Sequence, residues 1–176
     1  MLSLKEKTIS SEIKYKGKII NVRYDDVIIS DGQVKFREVV EHSGGVVIVA
    51  ITDENKVLLV KQWRYPIGQE LIELPAGKLE KGEDPFEAAK RELEEETGYV
   101  AQNWQDLGFV FSTPGFCDEK LYFYKATGLK YTQTNFDDGE IIKPSEMDVD
   151  ELFECIKTGK INDAKTIAAI CMALKI

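Results

Sequence analysis

Histidine and cysteine are scarce in this chain of 176 residues. The single histidine, His42, argues against a zinc site built from histidines, and no Ser-His-Asp triad can be proposed around it. The cysteines Cys117, Cys155 and Cys171 form an odd set without C-x-x-C spacing. Such a set indicates reduced thiols, so we expect a cytoplasmic protein.

Long apolar runs and basic clusters are missing as well. No stretch approaches the roughly 18 apolar residues of a membrane span, and the N-terminal MLSLKEKTIS has no apolar signal core. The net charge is −8, which argues against a membrane-bound or nucleic-acid-binding protein, since no Lys/Arg-rich run offsets it. The chain is 43% hydrophobic and 31% charged, as is typical of a soluble domain with a substantial core.

One segment, Gly77–Tyr99 (GKLEKGEDPFEAAKRELEEETGY), carries the most information. Asp84 suits the N-cap of a helix, Pro85 suits its first position, and Gly98 suits the left-handed residue after its last turn. The segment therefore predicts one short helix between Asp84 and Gly98.

Three carboxylates, Glu92, Glu95 and Glu96, fall on one side of this helix, beside its apolar stripe. Like charges three and four residues apart repel, and carboxylates that border a core are costly unless something positive lies between them. Carboxylate oxygens suit Mg²⁺ or Mn²⁺, and Mg²⁺ held in this way commonly acts on phosphate substrates. The alternative is a solvated acidic face, which is the usual meaning of a Glu run.

The spacing of this segment resembles the signature of the Nudix hydrolase superfamily. Its fixed positions are, in order, Gly77, Glu83, Arg91, Glu92, Leu93, Glu95, Glu96 and Gly98. Tyr99 departs from the signature, which has an aliphatic residue there. The resemblance implies that the Ala76 carbonyl, Glu92 and Glu96 bind metal, with Glu95 on a second ion. Arg91 is expected to orient this cluster through Glu83.

The remaining patterns predict strands and two further helices. Strand-like segments cover residues 19–29, 34–41, 46–51, 57–63, 70–74, 104–111 and 121–126. Asp31-Gly32 predicts a hairpin, Asp148 with Glu151 predicts a capping box, and Asp163 predicts the start of the last helix. We expect an α/β (α+β) fold, and the resemblance implies a Nudix α/β/α sandwich with a mixed central sheet. Its expected parts are an N-terminal antiparallel strand extension, 1–43, and a Nudix hydrolase domain, 44–176.

Further segments resemble the ADP-ribose pyrophosphatase branch of this superfamily. They are residues 37–42 (REVVEH), 62–66 (QWRYP), 73–77 (ELPAG), 114–119 (PGFCDE) and 163–166 (DAKT). Pro114, 16 residues after Gly98, is the mark of the branch. The resemblance implies Mg²⁺-dependent hydrolysis of ADP-ribose to AMP and ribose 5-phosphate, with Mn²⁺ possible. It also implies a homodimer that uses the extension.

Substrate-binding positions follow from the same resemblance. They are Ile20, Arg37, Glu38, Arg64, Glu73, Lys78, Thr113, Pro114, Gly115 and Glu119. For Arg37 and Arg64 the alternative is a surface strand charge, and for Glu73 it is a plain exposed strand residue. Ile20 stands where relatives often carry an aromatic residue, and an isoleucine can cover an adenine ring but cannot stack on it.

The catalytic base is implied to be Glu140, in the acidic loop that follows the predicted strand at 121–126. Asp137, Asp138 and Glu95 are alternatives. Two other functions stay open: hydrolysis of another nucleoside diphosphate sugar, and a sensor that keeps the fold without catalysis. The complete set of glutamates and the lack of a basic region argue against the sensor.

Overall fold

Ten β-strands and three α-helices occur within residues 3–136 and 141–174, which the computed structural model describes. The strands are β1 (Lys7–Lys16), β2 (Ile20–Ile28), β3 (Val34–His42), β4 (Gly45–Ala50), β5 (Lys56–Arg64), β6 (Gln69–Glu73), β7 (Ala76–Lys78), β8 (Tyr99–Phe111), β9 (Lys120–Tyr131) and β10 (Ile142–Asp148). The helices are α1 (Pro85–Thr97), α2 (Val149–Lys157) and α3 (Ala164–Leu174). None of these helices is both long and apolar enough to cross a membrane.

The chain divides into two compact units, residues 1–44 with 111–120 and residues 45–110 with 121–176. The first unit contains an antiparallel sheet in the order β1-β2-β3. The hairpin predicted at Asp31-Gly32 is present, since Gly32 has φ 86° and Ile28 pairs with Val34 across the turn. The predicted division into a dimer-forming extension, 1–43, and a catalytic domain, 44–176, stays a prediction.

The second unit contains the sheets β10-β5-β6 and β7-β4-β9-β8. Strand β4 is buried along its whole length, pairs parallel with β9 and antiparallel with β7, and so makes its sheet mixed. Its side chains alternate between two hydrophobic clusters. Val47 and Val49 pack in the cluster of α2 and α3, whereas Val46 and Ile48 pack in the cluster of α1. This arrangement confirms the predicted α/β/α sandwich.

Helix α1 begins and ends where the sequence predicts. The Asp84 carboxylate accepts hydrogen bonds from the N–H groups of Phe86 and Glu87, at 2.9 and 3.3 Å. Gly98 closes the helix with φ 76°, and its N–H donates to the Glu94 carbonyl. The capping box predicted at α2 is wrong, because the side chain of its N-cap residue Asp148 makes no cap hydrogen bond.

Candidate active site

Strand β7 and helix α1 bring the predicted metal ligands together in the second unit. The Ala76 N–H donates to Oε2 of Glu96 at 2.9 Å, and Glu96 is buried. Glu92 and Glu95 lie on the same helix and are partly exposed. The backbone of β7 and one side of α1 therefore lie within hydrogen-bond distance of each other at Ala76 and Glu96.

Gly77 allows the Glu92 carboxylate to lie directly against strand β7. A Cβ placed on Gly77 would be 1.8 Å from both Cδ and Oε1 of Glu92, and 2.3 Å from Oε2. These distances are far inside van der Waals contact, so only glycine fits at this position in the observed arrangement. The glycine at position 77, opposite Glu92, thus has a steric reason.

Arg91 supplies the positive charge that this group of carboxylates requires. Its Nε and Nη2 donate to the two oxygens of Glu83, at 2.9 and 3.1 Å. Its Nη1 donates to Glu92 Oε1 and to Glu95 Oε2, both at 2.8 Å. The pairing predicted between Arg91 and Glu83 is therefore present. The hydrogen bond from Arg91 holds the pKa of Glu83 below its usual range.

The donor chemistry of this cluster fits a hard divalent cation. Its carboxylates and the nearby Ala76 carbonyl are oxygen ligands of the type that Mg²⁺ and Mn²⁺ prefer. Within residues 3–136 and 141–174, no three His, Cys, Asp or Glu side chains already close around a metal position. Glu92 and Glu95 each share an oxygen with Arg91, so a cation would compete with this guanidinium for the carboxylates.

A second ionic group, in the same unit, contains two of the predicted substrate residues. Arg64 donates through Nε and Nη2 to the two oxygens of Glu73, at 2.7 and 2.6 Å, and Lys165 also pairs with Glu73. Burial of Glu73 would raise its pKa, but Arg64 and Lys165 outweigh burial and hold the pKa below its usual range. The Glu73 side chain is 0% exposed, so the alternative of an exposed strand residue is wrong.

This burial changes what Glu73 can do. A side chain without exposed surface does not touch a ligand directly, whereas the Arg64 side chain is 38% exposed. A bidentate carboxylate also fixes the plane of a guanidinium. We therefore assign Glu73 to holding Arg64 in place.

The start of helix α3 completes this network, and sequence reasoning gave it no role in the site. Asp163 Oδ2 accepts from Lys165 Nζ at 2.9 Å and from the Thr166 hydroxyl at 2.6 Å. The Thr166 oxygen in turn accepts the N–H of Leu74 at 2.9 Å. The only signal for these contacts in the sequence was the string Asp163-Ala164-Lys165-Thr166.

The first unit carries the other predicted substrate residues except Lys78. Ile20 begins β2 and pairs with His42, while Arg37 and Glu38 lie on β3. Arg37 does not point freely into solvent, because its Nε and Nη2 donate to Glu6 at 3.0 and 2.5 Å. A substrate phosphate that binds Arg37 would have to displace Glu6 or share the guanidinium with it.

The loop that carries Thr113, Pro114 and Gly115 is fixed to strand β3 within this unit. The Val40 N–H donates to the Phe116 carbonyl at 2.7 Å, and the Asp118 N–H donates to the Val40 carbonyl at 3.1 Å. Asp118 Oδ1 also accepts the N–H of His42 at 2.8 Å, and Nδ1 of His42 lies 3.3 Å from Oε1 of Glu119. These contacts give His42 a place beside a predicted substrate residue, which the sequence did not indicate.

Lys78 and the candidate catalytic bases are the remaining predicted residues. Lys78 ends β7 with an exposed side chain, and its carbonyl accepts a long 3.5 Å contact from Arg91 Nη2. Glu140, Asp137 and Asp138 lie outside the described residues. The assignment of the catalytic base to Glu140 accordingly stays a prediction.

Two family models match this chain. The NUDIX domain matches residues 41–170, and the Nucleoside diphosphate sugar hydrolase N-terminal domain matches residues 6–40. The first match covers most of the chain, and the chain belongs to the Nudix family. Nudix hydrolases generally need a divalent metal, which is consistent with the oxygen cluster on α1 and β7.

Similar proteins carry more than one name. The chain is 43% identical over 94% of its length to a Methanol dehydrogenase activator of Bacillus methanolicus, covering 90% of that protein. It is 40% identical over 97% of its length to an ADP-ribose pyrophosphatase of Bacillus subtilis, covering 93% of it. It is 31% identical over 94% of its length to a GDP-mannose pyrophosphatase of Yersinia enterocolitica, covering 93% of it.

A solved structure has the same fold. The crystal structure of an ADP compounds hydrolase matches with a TM-score of 0.86 and 21% sequence identity, over 98% of this chain and 95% of that one. This likeness confirms the fold class predicted from the sequence.

Proposed function

We propose that this chain hydrolyses the diphosphate bond of ADP-ribose to AMP and ribose 5-phosphate, with Mg²⁺ as its metal and Mn²⁺ as a possible substitute. The observation that carries the proposal is the cluster of Glu92, Glu95 and Glu96, in which Glu92 packs on Gly77, Arg91 bridges Glu92 and Glu95, and Glu96 accepts the Ala76 N–H. The 40% identity to an ADP-ribose pyrophosphatase over 97% of the chain supports the choice of substrate.

The residues of the second unit can be given roles in this reaction. The Ala76 carbonyl, Glu92 and Glu96 would hold a divalent cation, with Glu95 available for another. When bound, such ions neutralise a diphosphate and lower the pKa of water. Arg91 offsets the repulsion among the carboxylates by pairing with three of them. Arg64, fixed by Glu73, offers its guanidinium edge to an anionic substrate.

The residues of the first unit are proposed to select the nucleotide sugar. Arg37 and Glu38 on β3, with Ile20 on β2, are assigned to the nucleotide. Residues Thr113–Gly115, with Glu119, are assigned to the terminal ribose. The loop contacts to β3 support this second assignment, because a recognition loop needs a rigid support.

A panel of diphosphates tests the substrate. Purified protein is incubated with Mg²⁺ and equal concentrations of ADP-ribose, GDP-mannose and ADP-glucose, and the released nucleotide and phosphosugar are identified. We expect ADP-ribose to give AMP and ribose 5-phosphate with the highest kcat/KM. Equal or better turnover of another member of the panel would exclude ADP-ribose as the preferred substrate.

Hydrolysis of another nucleoside diphosphate sugar is the second candidate. Ile20 favours it, because an aliphatic side chain gives up the stacking that would strengthen the binding of adenine. The relative named GDP-mannose pyrophosphatase favours it too. Replacing Ile20 with tyrosine should lower the KM for ADP-ribose severalfold if adenine occupies this position, and should lower the KM for GDP-mannose as well, because guanine also stacks on an aromatic ring. An unchanged KM for both substrates would argue that the base binds elsewhere.

We also propose a homodimer formed through the first unit. Tyr15, Tyr24, Ile28, Val34 and Phe36 share one face of the β1-β2-β3 sheet by register, and all five are exposed. The register also places the charged residues Glu12, Asp26 and Glu38 on this face. Exposed apolar residues grouped on one face with a polar surround are typical of an interaction site. Strand β1 is exposed along its whole length and is an edge strand, which a second copy could cover.

Molar mass in solution tests the dimer. Phe36, whose exposed fraction is 68%, is replaced with aspartate, and Ile141, exposed in the other unit at 82%, receives the same change as a control. We expect a dimer for the parent chain and for Ile141→Asp, and a monomer for Phe36→Asp. A monomeric parent at working concentration would refute this proposal without affecting the catalytic one.

A further inference from the structure

Each of the five residues of the segment Glu73–Gly77 contacts a residue outside the segment. Arg64 and Lys165 pair with the Glu73 carboxylate, and the Leu74 N–H donates to Thr166 Oγ1. The Pro75 carbonyl accepts from the Ile48 N–H, the Ala76 N–H donates to Glu96, and the Glu92 carboxylate lies against Gly77. Two of these groups, Lys165 and Thr166, come from the first turn of α3. Helix α3, remote in sequence, thus contacts the backbone and side chain at Glu73 and Leu74, just before Ala76.

The Thr166 hydroxyl has one possible orientation in this network. Asp163 Oδ2 is an acceptor, so the 2.6 Å hydrogen bond between them uses the hydroxyl proton of Thr166. The oxygen lone pair is then turned to the Leu74 N–H, which donates to it at 2.9 Å. Thr166 is 0% exposed, so water cannot replace this acceptor without a rearrangement.

The backbone between Leu74 and Ala76 links the hydrogen bond at Leu74 to the position of the Ala76 carbonyl. Pro75 separates them, and its ring fixes one of the two soft backbone angles. The Pro75 carbonyl is also bonded, accepting from the Ile48 N–H at 2.9 Å. A shift of the Leu74 N–H would therefore move the Ala76 carbonyl, which lies two residues further along the chain.

We propose that Thr166 is a positioning residue for the reaction. Its hydroxyl, oriented by Asp163, fixes the Leu74 N–H and thereby sets the place of the Ala76 carbonyl relative to Glu96. This inference rests on the proposed function, in which Ala76 and Glu96 hold a divalent cation. Thr166 touches neither substrate nor cation and acts through the backbone of residues 74–76.

The test compares Thr166→Val, which keeps the shape and removes the hydroxyl, with Thr166→Ser, which keeps the hydroxyl. Thr158→Val is the matched control, because Thr158 Oγ1 donates to the Glu154 carbonyl at 2.7 Å at the end of α2. Three quantities are measured: the Mn²⁺ dissociation constant by electron paramagnetic resonance without substrate, kcat and KM for ADP-ribose, and the thermal unfolding temperature.

We expect Thr166→Val to weaken Mn²⁺ binding about tenfold and to lower kcat by a similar factor, as with other outer partners of metal ligands. The KM for ADP-ribose should change less than about threefold, because Arg64, which is proposed to bind the anionic substrate, keeps its partner Glu73. Thr166→Ser should restore Mn²⁺ affinity to within about threefold of the parent. Thr158→Val should change the unfolding temperature alone.

Two results would overturn the inference. One is a folded Thr166→Val variant with the Mn²⁺ affinity of the parent, and the other is an equal loss of affinity in Thr158→Val. If Thr166→Val does not fold, Asp163→Asn replaces it, since the amide weakens the acceptor that orients the hydroxyl; an unchanged Mn²⁺ affinity then overturns the inference. A parent chain that neither binds Mn²⁺ nor cleaves ADP-ribose would instead refute the proposed function, and this inference with it.

Discussion

Replacing Gly77 with alanine should abolish most of the activity while leaving the protein folded. The added Cβ would lie 1.8 Å from Cδ and Oε1 of Glu92. Because ordinary carbon contacts begin above about 3.4 Å, the carboxylate has to retreat by more than an ångström. No left-handed backbone angle is involved at Gly77, so the effect is steric.

The size of the loss follows from that displacement. Misplacing a reacting or ligating group by about 1 Å costs on the order of a hundredfold in rate. A hundredfold corresponds to about 2.7 kcal/mol of lost transition-state stabilisation. The fold should lose only about 1 kcal/mol, because Glu92 is partly exposed and can move outward. For a chain of this size that loss lowers the unfolding temperature by about 2–4 °C.

The assay measures kcat for ADP-ribose at saturating Mg²⁺, together with thermal unfolding. Gly159→Ala is the matched control, since Gly159 has φ 74° and open space around its Cβ position. This control should lose about 1 kcal/mol of stability through backbone strain and keep its activity. A Gly77→Ala variant with kcat within threefold of the parent would refute the reasoning, as would an equal loss in Gly159→Ala.

Two further predictions concern the ion pairs. Arg91 lowers the pKa of Glu83, so their pair stabilises the fold above the ordinary Glu pKa and loses this contribution as the pH falls through the lowered pKa. Glu83→Gln should therefore be less stable than the parent by about 1 kcal/mol at pH 7 and equally stable in strong acid, as measured by denaturant unfolding at both pH values; a pH-independent difference would contradict this. Arg64→Met should lower stability by about 2 kcal/mol, since Glu73 keeps Lys165, and should raise the KM for ADP-ribose about tenfold. Arg64→Lys should show roughly half of each effect in the same assays, and a change in kcat alone would exclude Arg64 from substrate binding.

Helix α1 was predictable because its determinants are local. Asp84, Pro85 and Gly98 act within one turn of the residues they cap, and the Nudix spacing lies in the same segment. Strand β1 was not predicted, because Lys7–Lys16 is mostly polar and its few apolar residues show no regular alternation. Strand β7 has three residues, Ala76–Lys78, which is too short for any periodicity.

The buried ionic network was not predictable for a different reason. Glu73 pairs with Arg64, nine residues away, and with Lys165, 92 residues away. Nothing in the sequence near Glu73 distinguishes a buried, doubly paired carboxylate from an exposed one. Contacts of this range follow from the packing of α3 against the strands, so the role of Thr166 emerged only with the fold.

The central claim is that a divalent cation held by Glu92 and Glu96 is required for cleavage of the diphosphate. The most direct measurement is AMP release from ADP-ribose by chelator-treated protein, before and after Mg²⁺ is restored, for the parent and for a Glu92→Gln/Glu96→Gln variant. We predict no AMP from either protein in chelator, and full recovery of the parent alone on addition of Mg²⁺. AMP release by the parent in excess chelator, or recovery of the double variant to the activity of the parent, would contradict the account.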